Sequence, residues 1–580
     1  MSCRAVAVAA LAALALSACG LPLQDGVQRP GEVAAEQRLP AAINVLPPGP
    51  QPGATPEAVV LGFLAAQSSA REKHGIARSF LAPEARAGWR DDAGVVVYDP
   101  SKTTPSRPSG EGEEVTVTLS MEVLGEVGPD GAARVQPAQT RSQTYRLRLD
   151  EARQWRLVEV PQGLTLSPAD RDRSYDPLSV HFLAPQGPSA PGRHLVADLV
   201  QLPAGADRAQ QVVERLLAGP SSGLAGSAES AVPLGTRLLS PVETSAAGEV
   251  TVDLSTEVSS LPDRARQDLS AQLVWSLREG VPEFTRLRLL VDGALLEVPT
   301  VGQPQPRTAW PTYAPDGPDG PLPALALVSG QLRSLDPVEE DREQTPPAAV
   351  AGAVDLASDA RTDRVAVLTQ DGPTRTLRTG PGAGPLAARL QDPSLSSPTW
   401  GDGGYGVFAL RTGARPGVLL VPGSGEAPVV EVDAEGLPSL DDDALLRVSR
   451  DGRRVALVAR GVLLVGRLEG GARPSLVGLR RMATDVLDVA WRDGTTLEVL
   501  VEDGVPPLLP LLRLSVDGTA AQATGLVGVA EGEPAAIAAY GDQPLLVETQ
   551  AQGRSTIYRG DGGAGFEVAL QDASRPAYPR

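Results

Sequence analysis

Histidine, cysteine and lysine are nearly missing from this chain. Of its 580 residues, three are histidine (His74, His181, His194), two are cysteine (Cys3, Cys19) and two are lysine (Lys73, Lys102). Imidazole-based acid–base or metal chemistry therefore has no place after residue 194. Aromatic residues amount to 3%, so the cores must be built from Val, Leu and Ala, for which a hydrophobic content of 42% suffices. An excess of positive charge is also lacking: 52 Lys+Arg stand against 71 Asp+Glu, a net charge of −19. Nucleic acid and broad adhesion to anionic lipid both need basic patches, so neither fits, and an acidic surface serves solubility. No apolar run approaches the roughly 20 residues of a membrane-spanning helix.

What is present begins at the amino terminus. Arg4 supplies positive charge, Ala5 to Leu16 form an apolar stretch, and Ser17 and Ala18 are a small pair. That is the layout of a secretory leader. Leu16-Ser17-Ala18-Cys19, with Gly20 behind it, resembles the bacterial lipoprotein box. In that family the cysteine thiolate takes a diacylglyceryl group, the leader is removed and the new amino terminus is acylated. The expectation is a leader over 1–18, lipidation at Cys19 and an ectodomain held on the outer face of the cytoplasmic membrane. Two or more acyl chains hold a protein stably where one does not. Removal of Cys3 with the leader would leave no disulfide. The competing reading is an ordinary secreted protein cut near Ala18.

Residues 19–54 read as a tether, because Pro47-Pro48-Gly49-Pro50-Gln51-Pro52-Gly53 is too rich in Pro and Gly to fold alone. An α+β domain is expected over 55–166. Thr55 can cap a helix, Pro56 suits its first position, and Val60, Phe63 and Leu64 share a face. Alternating runs at Glu114–Leu119, Thr144–Leu149 and Trp155–Val160 predict strands. A second α+β unit is expected over 179–301. Asp207 and Gln210 form a capping signature before the stripe Val213, Leu216, Leu217, and Gly219-Pro220 stops that helix. Leu234–Leu239 and Glu249–Leu254 read as strands, and a helix between Pro262 and Gly280 buries Leu269, Leu273 and Leu277. Leu287–Val291, the Asp292-Gly293 turn and Leu295–Val298 read as a hairpin. Glu214–Pro220, Val252–Ser255, Ala271–Leu277 and Val291–Gly293, in this order, resemble the GerMN domain of bacterial envelope lipoproteins.

A proline-dense linker is expected over 302–323, and an all-β domain over 324–580. Trp400-Gly401-Asp402-Gly403 and Trp491-Arg492-Asp493-Gly494 share one form. Arg450–Leu457 partly matches Thr362–Leu368. The turns at Asp402, Asp451 and Asp493 are 49 and 42 positions apart, close to the roughly 40–50 of a propeller blade. Five to seven blades would fit, with a pair of β-sandwiches as the alternative.

Chemistry is sparse. Gly219-Pro220-Ser221-Ser222-Gly223 matches the Gly-x-Ser-x-Gly nucleophile motif in letters. That mechanism needs a strand before the serine and a helix after it, and here the order is reversed. His181 and His194 lack a cysteine or carboxylate at ligand spacing, so they read as surface or satisfied residues. Asp441-Asp442-Asp443 lacks the EF-hand pattern and reads as a turn. Glu339-Glu340-Asp341 reads as a solvated loop, and Gly380–Gly384 lacks the lysine of a phosphate loop. Catalytic, metal and cofactor residues are therefore expected to be none. Paired carboxylates for glycan hydrolysis remain open.

The whole order, together with Leu395–Trp400, Val448–Gly452 and the closing Pro576-Ala577-Tyr578-Pro579, resembles the actinobacterial lipoprotein family LpqB. That resemblance implies a non-enzymatic lipoprotein associated with the extracytoplasmic part of the MtrB sensor kinase and acting on MtrA/MtrB signalling, cell-wall homeostasis and division. A peptidoglycan- or glycan-binding envelope module is the alternative.

Overall fold

Thr55 opens the first described helix as its sequence predicts: its hydroxyl accepts from the Ala58 amide at 3.3 Å, and Pro56 takes the first helical position. In this computed structural model, residues 46–579 are described, except 111, 186–191, 206, 318–321, 336–349, 360–362, 402–405, 424–426, 471–472, 503–509, 527–528, 530–531 and 561–564. Helix α1 (Pro56–Ala66) buries Val59, Val60, Phe63 and Leu64. Behind it lies a sheet of β1 (Val95–Pro105), β2 (Glu114–Val127), β3 (Ala133–Leu149), β4 (Trp155–Glu159) and β5 (Leu164–Leu166), ordered β4-β3-β2-β1-β5. Alternation along β2 puts Val117, Leu119, Met121 and Val123 into the core with Tyr145 and Leu147 of β3. The β2–β3 hairpin runs past this core, and its tip reaches the domains that follow.

The second domain starts with a two-stranded hairpin, β6 (Tyr175–Leu183) and β7 (Leu195–Pro203). Helix α2 (Arg208–Leu217) packs beside α3 (Asp263–Gly280), and α3 connects β8 (Glu249–Leu254) to β9 (Arg286–Val291). Those two strands pair in parallel from Glu249–Arg286 to Leu254–Val291, which requires such a crossover. At the Asp292-Gly293 turn both residues have positive φ, 51° and 73°, and the chain folds back in a short hairpin. Helix α3 is buried almost all round. Its polar residues serve β6: the Ser276 hydroxyl accepts from the His181 amide at 2.8 Å, and the Gln272 side chain donates to the His181 carbonyl at 3.0 Å.

Three local expectations fail. Leu234–Leu239 forms no strand; Leu234 is 99% exposed, Gly235 has φ +86°, and only Leu238 makes a bridge, to Leu254. Turn geometry between Pro233 and Thr236 defeats the apolar run there. Asp207 gives α2 no side-chain cap, and Gln210 instead donates to Glu214 at 2.6 Å and accepts from the Val242 amide at 2.7 Å. Part of the proline-dense stretch expected as a linker belongs to the second core, where Ala309, Trp310, Tyr313 and Ala314 are buried. The Trp310 indole donates to Ser270 at 2.9 Å and the Tyr313 hydroxyl to Asp268 at 2.7 Å. Its aromatics outweigh its prolines.

The carboxy-terminal half is a six-bladed propeller among the described residues. Four-stranded meanders occupy Ala353–Gln391, Leu395–Ala434, Leu445–Ala483, Val486–Gly525 and Glu533–Gln571. The remaining blade joins Leu325–Val328 and Gln331–Ser334 to the last strand of the chain, Ala573–Ala577. The ring is thus closed by its two ends, which leaves no open inner edge. Sandwich packing is excluded by this ring. The repeated aspartates mark one structural place: Asp451 and Asp493 sit in the turn between a blade's first and second strands. Asp402 falls outside the described residues. Numbered in chain order with the Leu325–Val328 blade as the first, the third (Leu395–Ala434) and fourth (Leu445–Ala483) blades also pair their outer strands in parallel, Asp433 with Ser475 and Ala434 with Leu476.

Candidate functional site

The fourth blade carries two adjacent arginines, Arg453 and Arg454, at the start of an otherwise apolar strand, and both are buried. Burying guanidinium groups is costly unless carboxylates and carbonyls meet them. Arg454 finds Asp451 Oδ2 at 2.8 Å, the Gly494 carbonyl at 2.9 Å and the Ala197 carbonyl at 2.5 Å. Asp451 is fully buried and also accepts from Ser449 Oγ at 2.5 Å and the Arg453 amide at 3.0 Å. Ala197 lies on β7, so Arg454 fastens the second domain to the propeller. Arg453 donates to the Pro185 carbonyl, and His194 Nε2 lies 3.2 Å from the Asp451 carbonyl. Since a carbonyl only accepts, this contact places the proton on Nε2.

Neighbouring turns extend the seam. Gln201 of β7 donates to Asp517 at 2.9 Å and to Thr519 at 3.1 Å. Asp316, from the proline-dense stretch, accepts from the Gly494 amide at 2.8 Å. Burial, then the charges of Asp493 and Asp451, push the Asp316 carboxyl up to about 8, against the pull of Arg450. The β2–β3 hairpin tip joins as well: the Gly131 carbonyl accepts from the Gln201 amide at 2.8 Å, and Asp130 accepts from the Ser222 amide at 2.7 Å. Three domains therefore meet on one end of the propeller through buried, directional contacts, within a single compact unit over 47–580. The structure assigns this junction a mechanical role, because charged groups bonded across an interface fix its register.

At the propeller axis the inner strands enclose a cavity of about 40 Å³. Arg447 and Asp488 face each other there at 3.5 Å, and Asp488 accepts from the Ile537 amide at 2.9 Å and the Val489 amide at 2.8 Å. Burial pushes the Asp488 carboxyl up while Arg447 draws it down. The space admits water and little else.

The residues singled out from sequence are spread apart. Cys19 and Glu339-Glu340-Asp341 lie outside the described residues. Ser221 is buried; its hydroxyl and amide both bind Asp198, at 2.7 and 2.6 Å, and a turn follows it. Burial pushes the Asp198 carboxyl up, while Ser221, Arg454 and Arg215 pull it down. His181 is fully buried beside Trp275, where burial lowers its pKa. His74 lies near Trp89 and is likewise lowered by burial. Asp442 accepts from Thr412 at 3.2 Å, and Asp441 opens a turn that the Ala444 amide closes. Gly380 lies in the strand that ends at Pro381, and Gly384 closes the following turn. No three His, Cys, Asp or Glu among the described residues stand together as a metal site, and no described helix is long and apolar enough to cross a membrane. Sequence reasoning missed Arg453, Arg454 and Asp316. The paired arginines ahead of Val455–Val458 were the available signal.

Three family models match the chain: "Lipoprotein LpqB, N-terminal domain" over 49–172, "Sporulation and spore germination" over 179–297 and "Lipoprotein LpqB beta-propeller domain" over 330–579. Among curated proteins, "Lipoprotein LpqB" of Thermobifida fusca is 28% identical over 99% of this chain and 98% of its own length. "Lipoprotein LpqB" of Cutibacterium acnes is 28% identical over 90% of each, and that of Mycobacterium tuberculosis is 25% identical over 93% of each. Fold and seam together define a multidomain propeller protein with a GerMN-like domain docked on one end of the ring. The two LpqB models between them take in well over half of the chain. The chain belongs to the LpqB lipoprotein family.

Proposed function

We propose that this chain is a lipid-anchored extracytoplasmic lipoprotein that associates with, and modulates, a two-component sensor kinase of the MtrA/MtrB type in envelope homeostasis and division. Cys19 carries the anchor in this reading, as S-diacylglycerol with an acylated amino terminus, on the outer face of the cytoplasmic membrane. The carrying observation is the match to LpqB lipoproteins along nearly the whole chain, with the Leu16–Cys19 box at its start. The docked domains support the reading physically. A body whose domains are fastened by buried hydrogen bonds presents one fixed surface to a partner. Anchoring both proteins in one membrane raises their effective concentration, so a modest interface is enough. No catalytic role is included.

Crosslinking in intact cells tests it, with wild type beside Cys19→Ala. Wild type should capture a histidine kinase ectodomain, and the variant should be released from the membrane and lose that capture. Retention of Cys19→Ala in the membrane fraction would sink the anchor. Wild-type crosslinks without any kinase would sink the partner.

A further inference from the structure

Where the β2–β3 hairpin, β7 and the fourth blade meet, they enclose a cleft of about 590 Å³. In a chain of net charge −19, five arginines line it: Arg134 from the hairpin, and Arg454, Arg467, Arg480 and Arg481 from the fourth blade. Two are neutralised in place, Arg454 by Asp451 and Arg467 by Glu469, each at 2.8 Å. Arg134, Arg480 and Arg481 have no carboxylate within 4 Å among the described residues. Arg480 is partly buried and donates to the Val516 carbonyl. Burial works against its charge, as do Arg134 and Arg454, and Asp517 offsets only part of this.

The acidic groups on the wall are already engaged. Asp198 is bound by Ser221, and Asp517 accepts from Ser515, Thr519 and Gln201. Arg134 works against the charge of the half-buried Arg480 in this cleft, and an anion bound there relieves that repulsion. We propose that this three-domain cleft binds a phosphate-bearing small molecule, with Arg134, Arg480 and Arg481 as its donors. Guanidinium forks match tetrahedral phosphate oxygens two at a time, and several cations lining one cleft suit a phosphate better than a single carboxylate. The cleft lies within the roughly 300–1,000 Å³ of small-molecule sites, so it accommodates a phosphate with one or two attached groups rather than a polymer. Because its walls come from three domains, a bound phosphate would also brace their junction.

The ligand chemistry has two sources, a soluble phosphate ester or a lipid head group, and calorimetry on the full-length protein in detergent separates them. Three probes are titrated: inorganic phosphate, glycerol 3-phosphate, and dihexanoylphosphatidylglycerol below its micelle concentration. Saturable binding of at least one is expected, weakened by added salt. Preference for the ester identifies a soluble ligand, and preference for the short-chain lipid identifies a head group. Arg134→Gln, Arg480→Gln and Arg481→Gln should each weaken binding about tenfold or more, as loss of a charge-assisted bond does. Arg481 is exposed, so its variant separates binding from folding. Arg554→Gln, whose side chain pairs with Asp572, should bind as wild type. No saturable binding of any probe, or unaltered binding by all three cleft variants, would overturn the proposal.

Discussion

Replacing Arg454 by methionine removes the most connected side chain of the seam while keeping much of its apolar stem. Arg454 is 6% exposed and its partner Asp451 is 0% exposed, so neither charge has water to fall back on. The variant leaves the Asp451 carboxylate buried with only Ser449 and the Arg453 amide, and leaves the carbonyls of Gly494 and Ala197 without this donor. Breaking a buried ion pair from one side costs about 3–5 kcal/mol, and the neutral bonds lost with it are not additive to that. The expected loss is therefore about 4 kcal/mol. Because Ala197 belongs to the β6–β7 hairpin, the loss also falls on docking. Calorimetric unfolding should show the GerMN-like and propeller transitions separating in the full-length variant and coinciding in wild type. Asp451→Asn combined with Arg454→Met removes the orphaned charge and should recover about half of the loss. A single variant within ~1 kcal/mol of wild type refutes the reasoning. So does a double variant as unstable as the sum of its parts.

The seam is also predicted to respond to pH. Folded Asp316 holds its proton to about pH 8, while the unfolded side chain releases it near 3.8, so stability should fall as pH rises through that window. Each unit corresponds to about 1.4 kcal/mol. Asp316 is partly solvent-accessible, which screens the effect to about 2–3 kcal/mol by pH 8. Asp316→Asn should flatten the pH profile in urea titrations, and parallel profiles would contradict this. Ser221→Ala should lower stability by about 1–3 kcal/mol, since buried Asp198 loses its hydroxyl partner; an unchanged denaturation midpoint would count against that role. Truncation after Gln571 removes the strand that closes the ring, with buried Ala573 and Tyr578, and should cost about 3–5 kcal/mol. A truncated chain melting with the wild-type midpoint would show that closure does not depend on this strand.

Much of the domain plan was legible because it rests on local chemistry. Thr55-Pro56 starts a helix wherever it occurs, and Asp292-Gly293 turns a chain back with little outside help. The Asp-Gly spacing of the propeller was visible because two described blades share the same first turn, at Asp451-Gly452 and Asp493-Gly494. Leu234–Leu239 misled because its pattern carries no record of the turn around Gly235. Trp310 and Tyr313 misled in the opposite way: they stand among prolines that suggest a spacer, and only the partners Ser270 and Asp268 on α3 make them core. Ser221 looked like a nucleophile in letters, and the buried carboxylate of Asp198 makes it an anchor.

The sequence by itself determined the sparse histidines, the leader-like start, the order of α+β, α+β and all-β regions, and the strand periods within them. Those follow from composition and from interactions spanning a few residues. Tertiary structure decided that six blades close through the last strand, that Arg454 reaches Ala197 some 257 positions away, and that Arg134, Arg480 and Arg481 line one cleft. The physical reason is range. Propensity and periodicity act between neighbours, whereas a buried guanidinium is satisfied by whatever carbonyl or carboxylate the fold carries to it.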